Sequence, residues 1–174
     1  ICFMMPWLVL TATLPTNPSG LRVKVWRALK ATGAGTLREG VYVLPEHAVT
    51  AQALWGLERT ISEAGADAHL LVLAARDETQ EKAFRALFDR SELYAELLQS
   101  VKAARSSIKK STEAQLHRSL RALEQQLQGI QASDFFPGKD SQKANEALSA
   151  LRRQVELHLS PDEPGATKAS IVPL

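Results

Sequence analysis

The chain has 174 residues, of which 45% are hydrophobic and 23% are charged, and its formal net charge is +2. These values are ordinary for a folded globular protein and exclude a disordered or collagen-like chain. The single cysteine, Cys2, excludes an internal disulfide and a cysteine-rich zinc site, and a reducing cytoplasm is the expected compartment.

The apolar N-terminal stretch, residues 1–14, is predicted to hold the first strand. Residues 7–12 are apolar and partly β-branched. No basic region precedes them and no clear cleavage site follows, so a strand is favoured over a signal peptide. The run is also too short to span a bilayer. The sequence does not begin with methionine, and residues 1–5 are left outside the predicted domain.

The first helix is predicted over residues 21–32, with Ser19 as its N-cap and Gly33 as its stop. Its apolar stripe comprises Leu21, Val25, Ala28, Leu29 and Thr32. Four cations lie off that stripe, with no acid between them: Arg22, Lys24, Arg27 and Lys30. A solvated face is one interpretation; a helix that contacts phosphates is the other, because four like charges repel one another without a partner. Trp26, at the edge of the stripe, is expected in the core or in a dimer contact.

An extended stretch and a second helix follow. Residues 34–45 read as strand, interrupted by Glu39 and Gly40, which form either a bulge or a turn between two short strands. Arg38 stands next to that interruption. The second helix follows Pro45, its apolar face comprising Leu54, Leu57, Ile61 and Ala64, with Gly65 as its stop. Residues 66–75 are the next strand.

This order predicts a ferredoxin-like α+β sandwich over residues 6–76, with three or four strands. A small doubly wound parallel sheet is the alternative, but its glycine-rich phosphate-binding motif is absent. Residues 77–160 have helical periodicity and predict a helical domain, broken near residues 89–92. The expected end of one helix is Gly129, and the expected cap of the last is Asp140 or Ser141. Residues 161–174 read as a linker or tail.

The most basic segment of the chain is residues 101–121. This segment contains six cations and one acid, Glu113. The cations are Lys102, Arg105, Lys109, Lys110, Arg118 and Arg121. The spacing of the first three predicts that they share one helical face. A nucleic-acid backbone or another polyanion is the predicted partner.

The residues that bond-making chemistry requires are not grouped in this sequence. The four histidines are far apart and lack metal-ligand spacing, and no nucleophile elbow or phosphate loop occurs. A metal-dependent nuclease-like enzyme would need an acid at the end of the first strand, where Thr11, Ala12, Thr13 and Leu14 stand instead. The chain is therefore expected to be neither an enzyme nor a binder of a metal or cofactor.

Several motifs together resemble the N-terminal domain of ChrB chromate-resistance proteins. These are residues 7–10 with Leu14 and Pro15, residues 22–30, residues 37–45, Leu-Phe-Asp-Arg-Ser-Glu-Leu-Tyr at 87–94, and Asp-Phe-Phe-Pro-Gly at 134–138. They occur in order over residues 6–159. The Trp-Arg-Ala-Leu-Lys helix and the strand after it also look like the dimeric ferredoxin-like domain of PaaX-type repressors and of a small CRISPR-adaptation subunit.

The resemblance implies a chromate-responsive transcriptional regulator of a chromate-resistance operon that binds DNA as a homodimer. It implies no cofactor and no membrane, with chromate as the effector. Full-length family members carry a further C-terminal domain that this sequence lacks. Chromate is a tetrahedral dianion, and Arg22 near Ser19, or Arg38, would meet its need for cationic donors. An oligomerisation module without DNA contact is the alternative.

Overall fold

A computed structural model describes residues 5–17 and 19–160 of the chain. Cys2, Pro18 and the predicted linker at 161–174 lie outside the described residues. The elements in chain order are β1 (Pro6–Thr13), α1 (Gly20–Thr32), β2 (Gly35–Arg38), β3 (Val41–Pro45), α2 (Ala48–Glu63), β4 (Asp67–Ala74), α3 (Glu78–Ala86), α4 (Ser91–Ser107), a 3₁₀ turn (Ile108–Lys110), α5 (Glu113–Ala132) and α6 (Lys139–Leu159).

The described residues form two compact units. The sheet unit contains residues 5–17, 19–89 and 133–136, and the helical unit contains residues 90–132 and 137–160. The sheet unit thus continues past Arg76, where the strand pattern of the sequence ends. It also includes a short segment between α5 and α6.

The sheet has four strands in the order β2-β3-β1-β4, and every neighbouring pair is antiparallel. With one helix after β1 and another after β3, this is the ferredoxin-like arrangement, and the predicted α+β class is confirmed. Glu39 and Gly40 form a turn between two strands, which settles the alternative that the sequence left open.

A close backbone approach explains the glycine in that turn. Gly40 has φ +77°, and its carbonyl accepts a 2.8 Å hydrogen bond from the Ala12 amide. A Cβ at this position would lie 2.6 Å from the Ala12 carbonyl oxygen. Only glycine fits both the conformation and the space.

The core of the sheet unit surrounds β1, whose residues from Trp7 to Leu10 are all at most 5% exposed. Val25 and Leu29 of α1 and Leu54 and Ile61 of α2 are also buried in this core, and the two helices contact one another. Burial on successive residues of β1 shows that both of its faces are covered.

An aromatic cluster forms around the Trp7 indole. Its ring centroid lies 5.4 Å from that of Phe84, 5.9 Å from that of Phe88 and 6.0 Å from that of Phe136. The helix α3, predicted as part of the helical domain, therefore supplies the sheet unit with core side chains. The motif at 134–138 supplies Phe135 and Phe136.

The helical unit packs α4, α5 and α6 pairwise around one core. The buried side chains recur at three- and four-residue intervals: Tyr94, Leu97, Val101, Ile108, Leu116, Leu120, Leu123, Leu127, Ile130, Ala144, Leu148, Leu151 and Val155. The helical pattern predicted from residue 91 onward is confirmed, including the break near residues 89–92.

Three sequence-based expectations differ from the structure. Gly129 does not end α5, because Ile130 continues the buried stripe and the helix runs to Ala132. The last helix begins at Lys139 after Gly138, and neither Asp140 nor Ser141 is its N-cap. Trp26 does not lie in the core, since 57% of its surface is exposed.

Candidate nucleic-acid interface

The cations predicted to bind an anion are all solvent-exposed. They are Arg22, Lys24, Arg27, Lys30, Arg38, Lys102, Arg105, Lys109, Lys110, Arg118 and Arg121. The first five belong to the sheet unit and the other six to the helical unit. Exposure leaves their charge available to a partner from solution, and their internal pairing decides how much of that charge remains.

The helix α1, which carries four of these cations, begins at an N-cap residue whose side chain makes no capping hydrogen bond. Ser19 occupies the predicted cap position, but its side chain makes no capping hydrogen bond. Gly33 ends the helix in the left-handed conformation at φ +73°, as predicted. Val25 and Leu29 turn inward, which directs the cations of this helix to solvent.

Two cations of α1 have partners within the sheet unit. The Arg22 Nη2 atom lies 2.6 Å from Glu39 Oε1, and the Lys30 ammonium lies 5.0 Å from the centroid of the Trp26 ring. The Glu39 carboxylate neutralises the charge that was expected to attract chromate to Arg22. Lys24 and Arg27 have no carboxylate oxygen within 4.0 Å among the residues that the structure describes.

A shallow cavity of about 330 Å³ lies beside the Arg22–Glu39 pair. Trp26 and Tyr42 contribute aromatic surface to it, and Gly40 contributes backbone. Its only ion pair in the described residues joins opposite charges on the same wall, so the cavity has no net cationic character.

The cations of α4 lie beside its buried row. Lys102 follows buried Val101, and Lys109 in the 3₁₀ turn follows buried Ile108. Arg105 likewise follows the partly buried Ala104. Because Lys102 and Arg105 each stand one position after an inward residue of α4, they lie along one side of its buried row, and Lys109 follows in the 3₁₀ turn.

The helix α5 begins with a capping box that the sequence reading did not identify. The Thr112 amide donates to Gln115 Oε1 over 2.8 Å, and the Gln115 amide donates to Thr112 Oγ1 over 3.4 Å. A threonine followed three positions later by glutamine is the sequence signal for this arrangement. The cap fixes where α5 starts and therefore which of its residues face solvent.

Arg118 and Arg121 line an open groove of about 460 Å³ on the exposed side of α5. The other lining residues are Ala114, His117, Ala122 and Gln125. The sequence predicted the two arginines but not the residues around them. The sequence signal for the open surface around Arg118 is the pair of alanines, Ala114 and Ala122, four positions before and after it.

The acids of α5 contact side chains other than the two arginines. Glu113 Oε1 lies 3.6 Å from His117 Nε2, and Glu124 accepts a hydrogen bond from Arg152 of α6. That hydrogen bond raises the pKa of Arg152 above its usual value. No described carboxylate oxygen lies within 4.0 Å of any of the six cations between Lys102 and Arg121.

Two further kinds of feature are absent from the described part of the chain. It contains no group of three or more histidine, cysteine, aspartate or glutamate side chains arranged to hold a metal ion. None of its helices combines the length and apolar character needed to cross a membrane.

Comparison with known proteins gives one consistent result. The family model described as "Protein ChrB, N-terminal" matches residues 22–159. Protein ChrB of Cupriavidus metallidurans is 36% identical over 165 residues, which are 95% of this chain and 51% of that protein. The chain therefore spans about half the length of this curated relative. No solved structure matches significantly.

Proposed function

The chain belongs to the ChrB N-terminal family, and from this premise we propose that it is the DNA-binding module of a chromate-responsive transcriptional regulator. The observation that supports DNA binding is the set of exposed cations between Lys102 and Arg121. None of the six has a carboxylate partner in the described residues, although the whole chain carries a net charge of only +2. Exposed cations without carboxylate partners, concentrated in one segment of a nearly neutral protein, favour a phosphate backbone as partner.

The DNA role is tested by the salt dependence of binding. Fluorescence anisotropy of labelled promoter DNA with the full chain should show affinity falling steeply between 50 and 200 mM salt. Six phosphate contacts would reduce it by roughly a thousandfold over that range. Absent binding, or binding insensitive to salt, would contradict the proposal.

The chromate response is proposed from the resemblance to the family and needs its own test. The Arg22–Glu39 pair means that a dianion at Arg22 would have to displace a carboxylate. We expect chromate added to the anisotropy assay to change the affinity for promoter DNA. Sulfate is the matched control, because it is also a tetrahedral dianion. Equal effects of the two anions would show that the change in DNA affinity comes from ionic strength, and would contradict a specific response to chromate.

The proposal also includes a homodimer. Trp26 on α1 and Trp55 on α2 are 57% and 61% exposed, and large exposed aromatic side chains are typical of interfaces. Light scattering at several concentrations should give twice the mass of the chain, and Trp55→Ser should shift the equilibrium toward monomer. A monomer at all concentrations would contradict this part.

A further inference from the structure

The groove on α5, lined by Ala114, His117, Arg118, Arg121, Ala122 and Gln125, is the described surface best suited to a phosphate backbone. We propose that the sugar–phosphate backbone of double-stranded DNA lies along this groove and that Arg118 and Arg121 are its principal phosphate contacts. This inference rests on the proposed function and specifies where on the chain that function is carried out.

The lining residues form two adjacent rows on the helix. Ala114, Arg118 and Ala122 are spaced by four residues in one row, and His117, Arg121 and Gln125 are spaced by four in the other. Arg118 therefore projects between two methyl groups, with no bulky neighbour in its own row. The small side chains leave the helix surface open to close approach, while Gln125 in the second row adds an amide donor beside Arg121.

The two arginines of the groove have no described carboxylate partner, although Glu113 contacts His117 at one end of it. Neither Arg118 nor Arg121 has a carboxylate oxygen within 4.0 Å among the described residues, and both acids on α5 contact other side chains. The arginines of α1 differ, since Arg22 is bound to Glu39. A planar guanidinium can donate two parallel hydrogen bonds to a phosphate, so free arginines suit this partner better than lysines do.

The length of the groove favours a polymer over a single anion. From Ala114 to Gln125 the helix rises by about 16 Å at its usual 1.5 Å per residue. DNA carries one phosphate of each strand per roughly 3.4 Å of duplex axis, and the strand runs obliquely to that axis, so more than one phosphate of a strand fits along this distance. A lone tetrahedral anion would fill only part of this length.

The first test removes the two guanidinium charges. Each phosphate contact contributes about 0.9 to the slope of log affinity against log salt, so Arg118→Gln/Arg121→Gln should reduce that slope by about 1.8. The matched control is Lys82→Gln/Arg153→Gln, which removes two exposed cations from α3 and α6, neither of which has a described carboxylate oxygen within 4.0 Å. The control should keep the slope of the original chain.

A second variant places an acid in the groove without weakening the helix. Ala114→Glu puts a carboxylate four residues before Arg118 in the first turn of α5, a position and order that favour helix formation. Helicity by circular dichroism should be unchanged, while DNA affinity falls by about tenfold or more. Loss of affinity without loss of helicity is a result that misfolding would not produce.

The outcomes separate the inference from the function on which it rests. Salt-dependent binding by the original chain, with both groove variants behaving like the control, would overturn the groove and leave DNA binding intact. No DNA binding by the original chain would overturn both. If the groove variants lose binding to phosphatidylserine vesicles but keep their DNA affinity, the groove would be assigned to a membrane surface and the inference would be overturned.

Discussion

Trp7 donates its indole Nε1–H to Glu81 Oε2 over 2.8 Å, and this bond joins the central strand to α3. Trp7 is fully buried, and the Glu81 side chain is 13% exposed. The other carboxylate oxygen of Glu81 accepts from Arg85 Nε over 2.7 Å, and the Arg85 guanidinium carbon lies 4.6 Å from the Phe136 ring centroid. The segment between α5 and α6 is thereby linked to the same polar group that holds Trp7.

Replacement of Glu81 should destabilise the sheet unit. Glu81→Ala leaves a buried indole N–H without its acceptor, which costs about 1–3 kcal/mol. Glu81→Gln keeps an acceptor oxygen and should recover most of that loss. Urea unfolding followed by tryptophan fluorescence measures both, and Lys82→Ala on the exposed side of α3 should change stability by no more than about 0.5 kcal/mol. Equal stability of the alanine and glutamine variants would contradict this account.

Two glycine-to-alanine changes in the sheet unit should change the free energy of unfolding in opposite directions. Gly40→Ala forces a side chain into a positive-φ conformation and against the Ala12 carbonyl, and should cost more than about 1 kcal/mol. Gly56 lies inside α2, with no atom within 4 Å of a Cβ built on it, so Gly56→Ala should stabilise by about 0.5–1 kcal/mol. Thermal unfolding of the two variants checks the difference in sign.

Asp77 should make the stability of α3 depend on pH. Its carboxylate accepts a 2.8 Å hydrogen bond from the Gln80 amide at the start of the helix. This bond first, and the Arg76 side chain second, lower the pKa of Asp77 below its usual 3.8. The charged form is therefore favoured in the folded state, so the stabilisation is complete above the unfolded pKa and is lost as the pH falls through the lower folded value.

Asp77→Ala removes that cap at every pH. The variant should be clearly less stable than the original chain at pH 7, and the difference should shrink as the pH approaches about 3. Urea midpoints at the two pH values provide the measurement. A difference that stays constant between them would show that ionisation of Asp77 does not contribute.

Glu39→Gln should release the charge of Arg22. Both side chains of the Arg22–Glu39 pair are exposed, so breaking the pair should change the free energy of unfolding by less than about 1 kcal/mol. Arg22 would then be free to contact a phosphate, and the salt slope of DNA binding should increase by about 0.9. Glu63→Gln is the matched control, since it breaks the exposed Arg59–Glu63 pair and changes the net charge equally. An identical slope in both variants would exclude α1 from the interface.

The sequence by itself determined the type and order of most elements, because these depend on local periodicity and on stop residues. The number of strands, the end of α5 and the start of α6 were decided by the structure. The stripe with Val25 and Leu29, the left-handed Gly33 and Gly65, and the strand around Val43 are each short-range signals. The ferredoxin-like order follows from those elements in series. The exposure of the basic residues was also readable, since they lie off the apolar stripes.

Only the tertiary structure decided which side chains from distant segments meet. Arg22 and Glu39, Trp7 and Glu81, and Glu124 and Arg152 are paired by the packing of elements, and no spacing along the chain encodes those distances. The extent of the sheet unit was decided in the same way, because the burial of Phe84 and Phe88 against Trp7 is a long-range contact. Local pattern indicates which face of an element turns inward, whereas packing determines which cations keep an uncompensated charge.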